Sequence, residues 1–218
     1  MFRFPCWQTV ALDIEATGIN RERDRIIQYG IFGVHADGER VIDAASVVDA
    51  ETPTGRDPAN IPGIRTHDVA KSVPLRDGHL SRIYGACNDA IVVIHNKHFD
   101  WGFIEAEFAR NGAVAPRPRL ICCTWEIARR SSVPPPHKLG TLCRKFGIPL
   151  HNAHNARDDA VATFQLFVTF ANIYWAGWFE SQPRLRGCWA VRSGYFCPKM
   201  FPWSKKLSAL RPVTGRSY

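Results

Sequence analysis

Hydrophobic positions along the chain fall into runs of two kinds, short β-rich runs first and helical spacings later. Residues 8–14 concentrate β-formers and read as a strand, residues 26–34 (IIQYGIFGV) as a second and residues 40–48 as a third. Asp37-Gly38 between the last two is a hairpin signal, so the three strands are expected to form an antiparallel meander. Residues 52–62, rich in Pro, Gly and polar side chains, read as a loop. Residues 76–88 fit a helix, and 90–94 (AIVVI) a short buried strand. From 100 to 111, Phe103, Ile104, Glu107 and Phe108 recur at helical spacing before the stop signal Asn111-Gly112. Residues 119–123 fit a last strand. Residues 124–130 then start a helix that the Val133 to Pro136 run ends. Two further helices come next, 138–146 closed by Gly147, and a long one over 155–171. This order predicts an α/β fold, a mixed sheet with helices packed on it.

Composition narrows the setting. A chain of 218 residues with 45% hydrophobic content suits one domain, or one domain plus a tail. The seven cysteines are odd in number, none is spaced as CxxC, and the first residues lack the apolar run of a secretion signal. The expectation is a reducing, cytoplasmic setting. The apolar run over 164–179 is short for a membrane span and contains Gln165 and Asn172; it reads as a buried helix that frays into an aromatic connector. No membrane partner is expected. The net charge of +8 is uneven, with eight Lys/Arg and one acid over residues 180–218 and near neutrality before them. A basic tail suggests a polyanion such as nucleic acid.

The apolar first strand runs into Asp13 and Glu15 and closes at Thr17-Gly18. Residues two apart on a strand share a face, so both carboxylates point the same way. Asp100 comes after the short buried strand and is expected to begin the next helix, where N-capping is its ordinary use. Asp159 enters the long helix on the same face as Ala162, Thr163, Leu166, Phe167 and Phe170, which aims it at the sheet; Asp158 lies on a more polar face. Four acids at strand ends or helix starts would repel one another if they met. Hard divalent cations, Mg²⁺ or Mn²⁺, resolve such repulsion, and a pair of them is the usual device for phosphodiester cleavage. A nearby histidine, His154, is placed to take a proton from water.

These residues resemble the motifs of the DnaQ-like 3′→5′ exonucleases, the DEDDh group of the ribonuclease H-like superfamily. Asp13-Ile14-Glu15-Ala16-Thr17-Gly18 matches the first motif, and Asp24 to Gly30 resembles the stretch that the family carries next. His95-Asn96-Lys97-His98-Phe99-Asp100 matches the second, and His154-Asn155-Ala156-Arg157-Asp158-Asp159-Ala160 the third. Lys138-Leu139 through Phe146-Gly147-Ile148 resembles the approach to the third, so the likeness covers about residues 8–170. It implies a ribonuclease H-like five-stranded mixed sheet flanked by helices. It implies two Mg²⁺ or Mn²⁺ ions held by Asp13, Glu15, Asp100 and Asp159, with Asp13 bridging them. It implies catalytic roles for Glu15 and for His154 as general base. Ala16, Thr17 and Gly18 would approach the terminal nucleotide, with Asn96 and Phe99 lining its pocket. His151 is a rival base, but lies too far from Asp159 in sequence for the motif. Two departures stand out: Ile64-Arg65-Thr66-His67-Asp68 replaces a common His-Gly-Ile, with Arg65 or His67 as substitute contacts, and Cys123 replaces an Asp that is not a proposed metal ligand.

The resemblance implies an enzyme that releases nucleoside 5′-monophosphates from single-stranded 3′ ends of DNA, RNA or both. The alternative is a non-catalytic nucleic-acid-binding or polymerase-associated module on the same fold; it predicts the loss of a key acid, and none is missing. A proofreading role would call for a polymerase partner. The expected organisation is an exonuclease domain over 1–176 and a basic, aromatic extension over 177–218. Trp178, Trp189, Tyr195, Phe196, Phe201, Trp203 and Tyr218 in that extension either stack on unpaired bases or fold back on the domain.

Overall fold

The structure is a computed structural model that describes residues 8–35, 41–51, 64, 68 and 71–180. Five strands, β1 (Thr9–Ala16), β2 (Ile26–Val34), β3 (Val41–Val47), β4 (Ile91–Ile94) and β5 (Leu120–Cys123), form one sheet in the order β3-β2-β1-β4-β5. β1–β2 and β2–β3 are antiparallel, whereas β1–β4 and β4–β5 are parallel. The expected meander and mixed sheet are therefore present. The Asp37-Gly38 turn lies outside the described residues, as do Arg65, His67, the 52–62 loop and the extension beyond Glu180.

Five described helices flank the sheet: α1 (His79–Cys87), α2 (Lys97–Arg110), α3 (Thr124–Arg130), α4 (Leu139–Phe146) and α5 (Ala156–Glu180). Alternation along β1 divides the core between two faces. Val10, Leu12 and Ile14 meet Leu80 and Ile83 of α1 and Phe103, Ile104 and Phe108 of α2. Ala11 lies in the opposite cluster with Ile127 of α3, Leu142 of α4, and Ala160, Phe164 and Phe167 of α5. Asp13 and Glu15 share the face of Ala11, so they look toward the helix that carries Asp159.

Three boundaries differ from expectation for local reasons. β1 extends past Ile14 to Ala16, because Asp13, Ile14 and Glu15 pair with Gly30, Tyr29 and Gln28 before a bulge breaks the register. α2 begins at Lys97, not Asp100, so Asp100 is a first-turn residue and the N-cap position falls to Asn96. α5 begins after Asn155, whose side-chain oxygen accepts from the N–H groups of Arg157 and Asp158, and it runs on through Gly177 to Glu180. The tyrosine of β2, Tyr29, is fully buried, and its hydroxyl meets Nδ1 of His79 at 3.0 Å, which ties the sheet to α1. No described helix is long and apolar enough to cross a membrane.

Candidate active site

The parallel strands β1, β4 and β5 end at one edge of the sheet, and the predicted acids gather there. Asp13 and Glu15 sit at the end of β1. Asp100 comes from α2 on the other face and reaches round the strand end, where its Oδ1 accepts the Ile14 N–H at 3.2 Å. Asp159 arrives from α5 and its Oδ2 accepts the His154 N–H at 3.0 Å. The His154 imidazole is exposed, with Nδ1 3.9 Å from Glu15 Oε1. Potential ligand atoms of Glu15, His154 and Asp159 lie within 4.8 Å of one another.

The electrostatics carry the signature of a compressed carboxylate cluster. Burial, then Asp100, Asp159 and Glu15, hold the Asp13 carboxyl well above the usual carboxylate range. Burial and the charges of Asp159 and Asp100 push Glu15 up to about 7. Asp100 also rises to about 7, chiefly through burial, although the Ile14 N–H favours its ionised form. Asp159 is raised by burial against the opposing pull of the His154 N–H. A shared site of carboxylates that resist joint ionisation suits hard dications, whose charge restores the ionised forms. The oxygen-rich donor set therefore fits a hard divalent cation.

Two residues of β2 explain why Asp159 reaches the cluster. Gly30 faces Asp13 across the ladder, and a Cβ on Gly30 would lie 2.2 Å from the Ala156 carbonyl oxygen. Only a glycine lets the first turn of α5 rest on the strand at this point. Gln28, opposite Glu15, accepts the Ala156 N–H through Oε1 at 2.8 Å and so satisfies a donor of the helix start. In the sequence both residues belong to a family-like stretch that carries no assigned role. An isolated Gly within a strand pattern is the one signal there. His154 itself adopts φ 69°, a left-handed conformation uncommon outside glycine, and its bond to the Asp159 carboxylate stabilises that turn.

The remaining expected residues divide. Thr17 is buried and engaged with the loop, since its N–H donates to the Arg25 carbonyl and its hydroxyl accepts the Arg25 N–H. Gly18 also makes a close approach within the chain: a Cβ there would meet the Asp24 carboxylate, which accepts the Asn20 N–H. Asn96 is exposed beside the cluster. Phe99 packs on Phe103 with ring centroids 5.0 Å apart and, with Ile19, Arg21, Glu22 and His98, lines a groove of about 470 Å³. His151 is exposed outside the close group formed by Glu15, His154 and Asp159. Asp158 turns away to Asn152 and Arg157.

Two supports carried no role assigned from the sequence, although His95 lies in the second motif. Glu107, buried in α2, takes a two-pronged ion pair from Arg25 at 2.8 and 3.0 Å and also accepts the Ile26 N–H. This locks the β1–β2 loop against α2. His95, which precedes Asn96, meets the Thr124 hydroxyl through Nδ1 and the His137 carbonyl through Nε2. Burial depresses its pKa to about 4, so it serves as a neutral clamp between β4, α3 and the loop before α4.

Comparison with known proteins gives the family and the fold. The family model RNase_T, described as "Exonuclease", matches residues 10–167. Relatives include the PolC-type DNA polymerase III of Streptococcus suis, 30% identical over 165 residues, and that of Halalkalibacterium halodurans, 32% identical over 158. These matches cover 74% and 72% of this chain but only 11% of each relative, so the chain corresponds to a small part of those polymerases. Among solved structures, exonuclease X in complex with 5′-overhanging duplex DNA superposes with TM-score 0.59 at 20% identity, covering 77% of this chain and 93% of that one. The nuclease domain of 3′hExo, a DEDDh family member bound to rAMP, gives 0.58 at 15% identity, covering 77% and 92%. E. coli exonuclease I with a dT13 oligonucleotide gives 0.64 at 18% identity, covering 76% and 41%. At these identities the structural likeness establishes the fold.

Proposed function

The chain belongs to this DnaQ-like exonuclease family, and from that premise we propose that it is a metal-dependent 3′→5′ exonuclease acting on single-stranded ends. The observation that supports this reading best is the convergence of Asp13, Glu15, Asp100 and Asp159, from three separate segments, beside the His154 imidazole. No acid of the set is absent, which weighs against a non-catalytic module.

Asp13, Glu15, Asp100 and Asp159 would hold two Mg²⁺ or Mn²⁺ ions. Such ions, when bound, supply Lewis-acid polarisation of the scissile phosphate and acidify water. The protein's own part is positional. Asp100 is held by the Ile14 N–H, and Asp159 by the His154 N–H, so each carboxylate keeps one oxygen for a ligand. His154 takes a proton from the attacking water at its imidazole, and its proximity to the Glu15 carboxylate stabilises the resulting charge. The 3′-terminal nucleotide rests against the backbone of Ala16 to Gly18, with Asn96 and Phe99 bordering it. Glu15 thus serves both as a ligand and as the partner of the base. Attack at the terminal phosphodiester releases a nucleoside 5′-monophosphate and leaves a strand shorter by one. The names of the polymerase relatives bring DNA as substrate, and a polymerase as partner, into this proposal. We assign the nuclease unit to residues 1–176 and a separate accessory role to 177–218.

The test is degradation of 5′- and 3′-labelled single strands with Mg²⁺ and with chelator, alongside Asp13→Ala and His154→Ala. Stepwise, chelator-sensitive shortening from the 3′ end supports the proposal. Equal degradation by wild type and Asp13→Ala would defeat it, because the activity would then belong to a contaminant.

A further inference from the structure

The folded body carries a concentration of positive charge separate from the tail. Residues 124–147 contain five Lys/Arg and a single acid, Glu126. Arg129, Arg130, Lys138, Arg144 and Lys145 are all exposed on α3, α4 or their connection. Glu126 is itself neutralised by Lys97 at 2.8 Å, with His98 at 3.8 Å. The same surface exposes a large aromatic: Trp125 stands at the start of α3, and the Arg129 guanidinium lies 4.6 Å from its ring centroid.

This surface is joined to the active edge by direct contacts. α3 leaves the carboxyl end of β5, and the Trp125 N–H donates to the His95 carbonyl at 3.2 Å. The His137 carbonyl accepts from His95 Nε2 at 2.9 Å, which brings Lys138 to the same loop. On the other side, His98 lines the groove that Phe99 and Ile19 form. His98 lies next to Lys97 in α2, and Lys97 pairs with Glu126, the neighbour of Trp125 in α3, so the groove and the Trp125–Arg129 pair are linked through the Lys97–Glu126 contact. Resting on the nuclease reading of the neighbouring cluster, we infer that Trp125 and Arg129, with Arg130 and Lys138, form a platform for nucleotides upstream of the 3′ end in a single-stranded nucleic acid. Unpaired bases stack on the indole or guanidinium planes, while Arg130 and Lys138 meet phosphates. Stacking of this kind requires exposed base faces, which single strands offer and a duplex does not.

The experiment measures binding of a 5′-fluorescein single strand of about ten nucleotides to the full chain in chelator, across a salt series. Trp125→Ala weakens binding by about five- to a hundredfold, and Trp125→Phe recovers most of the loss. Arg130→Gln with Lys138→Gln reduces the salt slope by about 0.7 for each phosphate that is no longer neutralised. In the presence of Mg²⁺ the rise in KM appears on the long strand and falls away on a dinucleotide too short to reach α3. Affinities within about twofold of wild type and an unchanged slope in all three variants would overturn the platform, as would equal losses on long and short substrates. The two proposals fail separately. A wild type that binds through Trp125 but never shortens the strand keeps the platform and removes the nuclease. Shortening with no effect of Trp125, Arg130 or Lys138 does the reverse.

Discussion

Lowering the pH of the metal-free protein should stabilise it, opposite to what ordinary paired carboxylates do. Glu15 and Asp100 each titrate at about 7 in the fold, against 4.5 and 3.8 for the free side chains. A folded acid with a raised pKa binds more protons than its unfolded counterpart between those values, so stability falls as pH rises through the window. Between about pH 5.5 and 7.5 each group contributes on the order of 2 kcal/mol, so the pair gives at most about 4 kcal/mol. Mutual repulsion makes the two titrations share protons, and His95, held at about 4 against 6.5 for the free side chain, opposes them by about 1.4 kcal/mol over the same window, which places the net at about 1 to 3 kcal/mol. For a domain of this size that is a rise in Tm of roughly 2 to 12 °C on going from about pH 7.5 to 5.5 in chelator. The assay is thermal unfolding by circular dichroism at both pH values, with Asp100→Asn as the control for all other titrating groups. The variant should show a shallower pH dependence, because it loses the Asp100 titration and the repulsion that Asp100 exerts on Asp13 and Glu15. Millimolar Mn²⁺ should reverse the trend in the wild type, since the ion binds the ionised carboxylates and stabilises most at the higher pH. A chelated wild type whose Tm is flat or rises with pH, with the same slope in Asp100→Asn, would refute the idea of a compressed cluster.

Other outcomes test the supports of the site. His154→Ala should lower kcat by about a hundredfold or more in a stopped single-turnover assay, as loss of a general base does, whereas His151→Ala should stay near wild type. Gly30→Ala forces a methyl into the Ala156 carbonyl and shifts the start of α5; kcat should drop about a hundredfold while denaturant unfolding shows a loss of only about 1–3 kcal/mol. Glu107→Ala leaves Arg25 without its buried partner and should cost about 3–5 kcal/mol by urea unfolding, far more than a surface pair.

The fold was legible wherever one sequence period governed an element. The IIQYGIFGV run is β2, and the apolar stripe behind Asp159 is the buried face of α5. Boundaries were less legible because tertiary contacts set them: Asp100 reads as a cap, but the helix starts earlier and frees its carboxylate for the Ile14 N–H. Asp13, Glu15, Asp100, Asp159 and His154 could be named from motifs, since their chemistry is local and their spacing distinctive. Gln28 and Gly30 could not be given a role, because each acts by receiving a helix more than a hundred residues away. His95 and Glu107 belong to the same class: nothing in a linear pattern says that one will be a neutral clamp and the other the anchor of a loop. The exposed charge of α3 and α4 was hidden by averaging, because acids elsewhere in the body balance it.

The proposed chemistry requires that the four carboxylates jointly hold metal. Crystals soaked in Mn²⁺ with a nucleoside 5′-monophosphate, measured for anomalous scattering at the manganese edge, address this directly. The expected result is two anomalous peaks among Asp13, Glu15, Asp100 and Asp159, with the phosphate between them and the His154 imidazole. A cluster that stays free of manganese at saturating concentration, or manganese bound only elsewhere on the molecule, would contradict it.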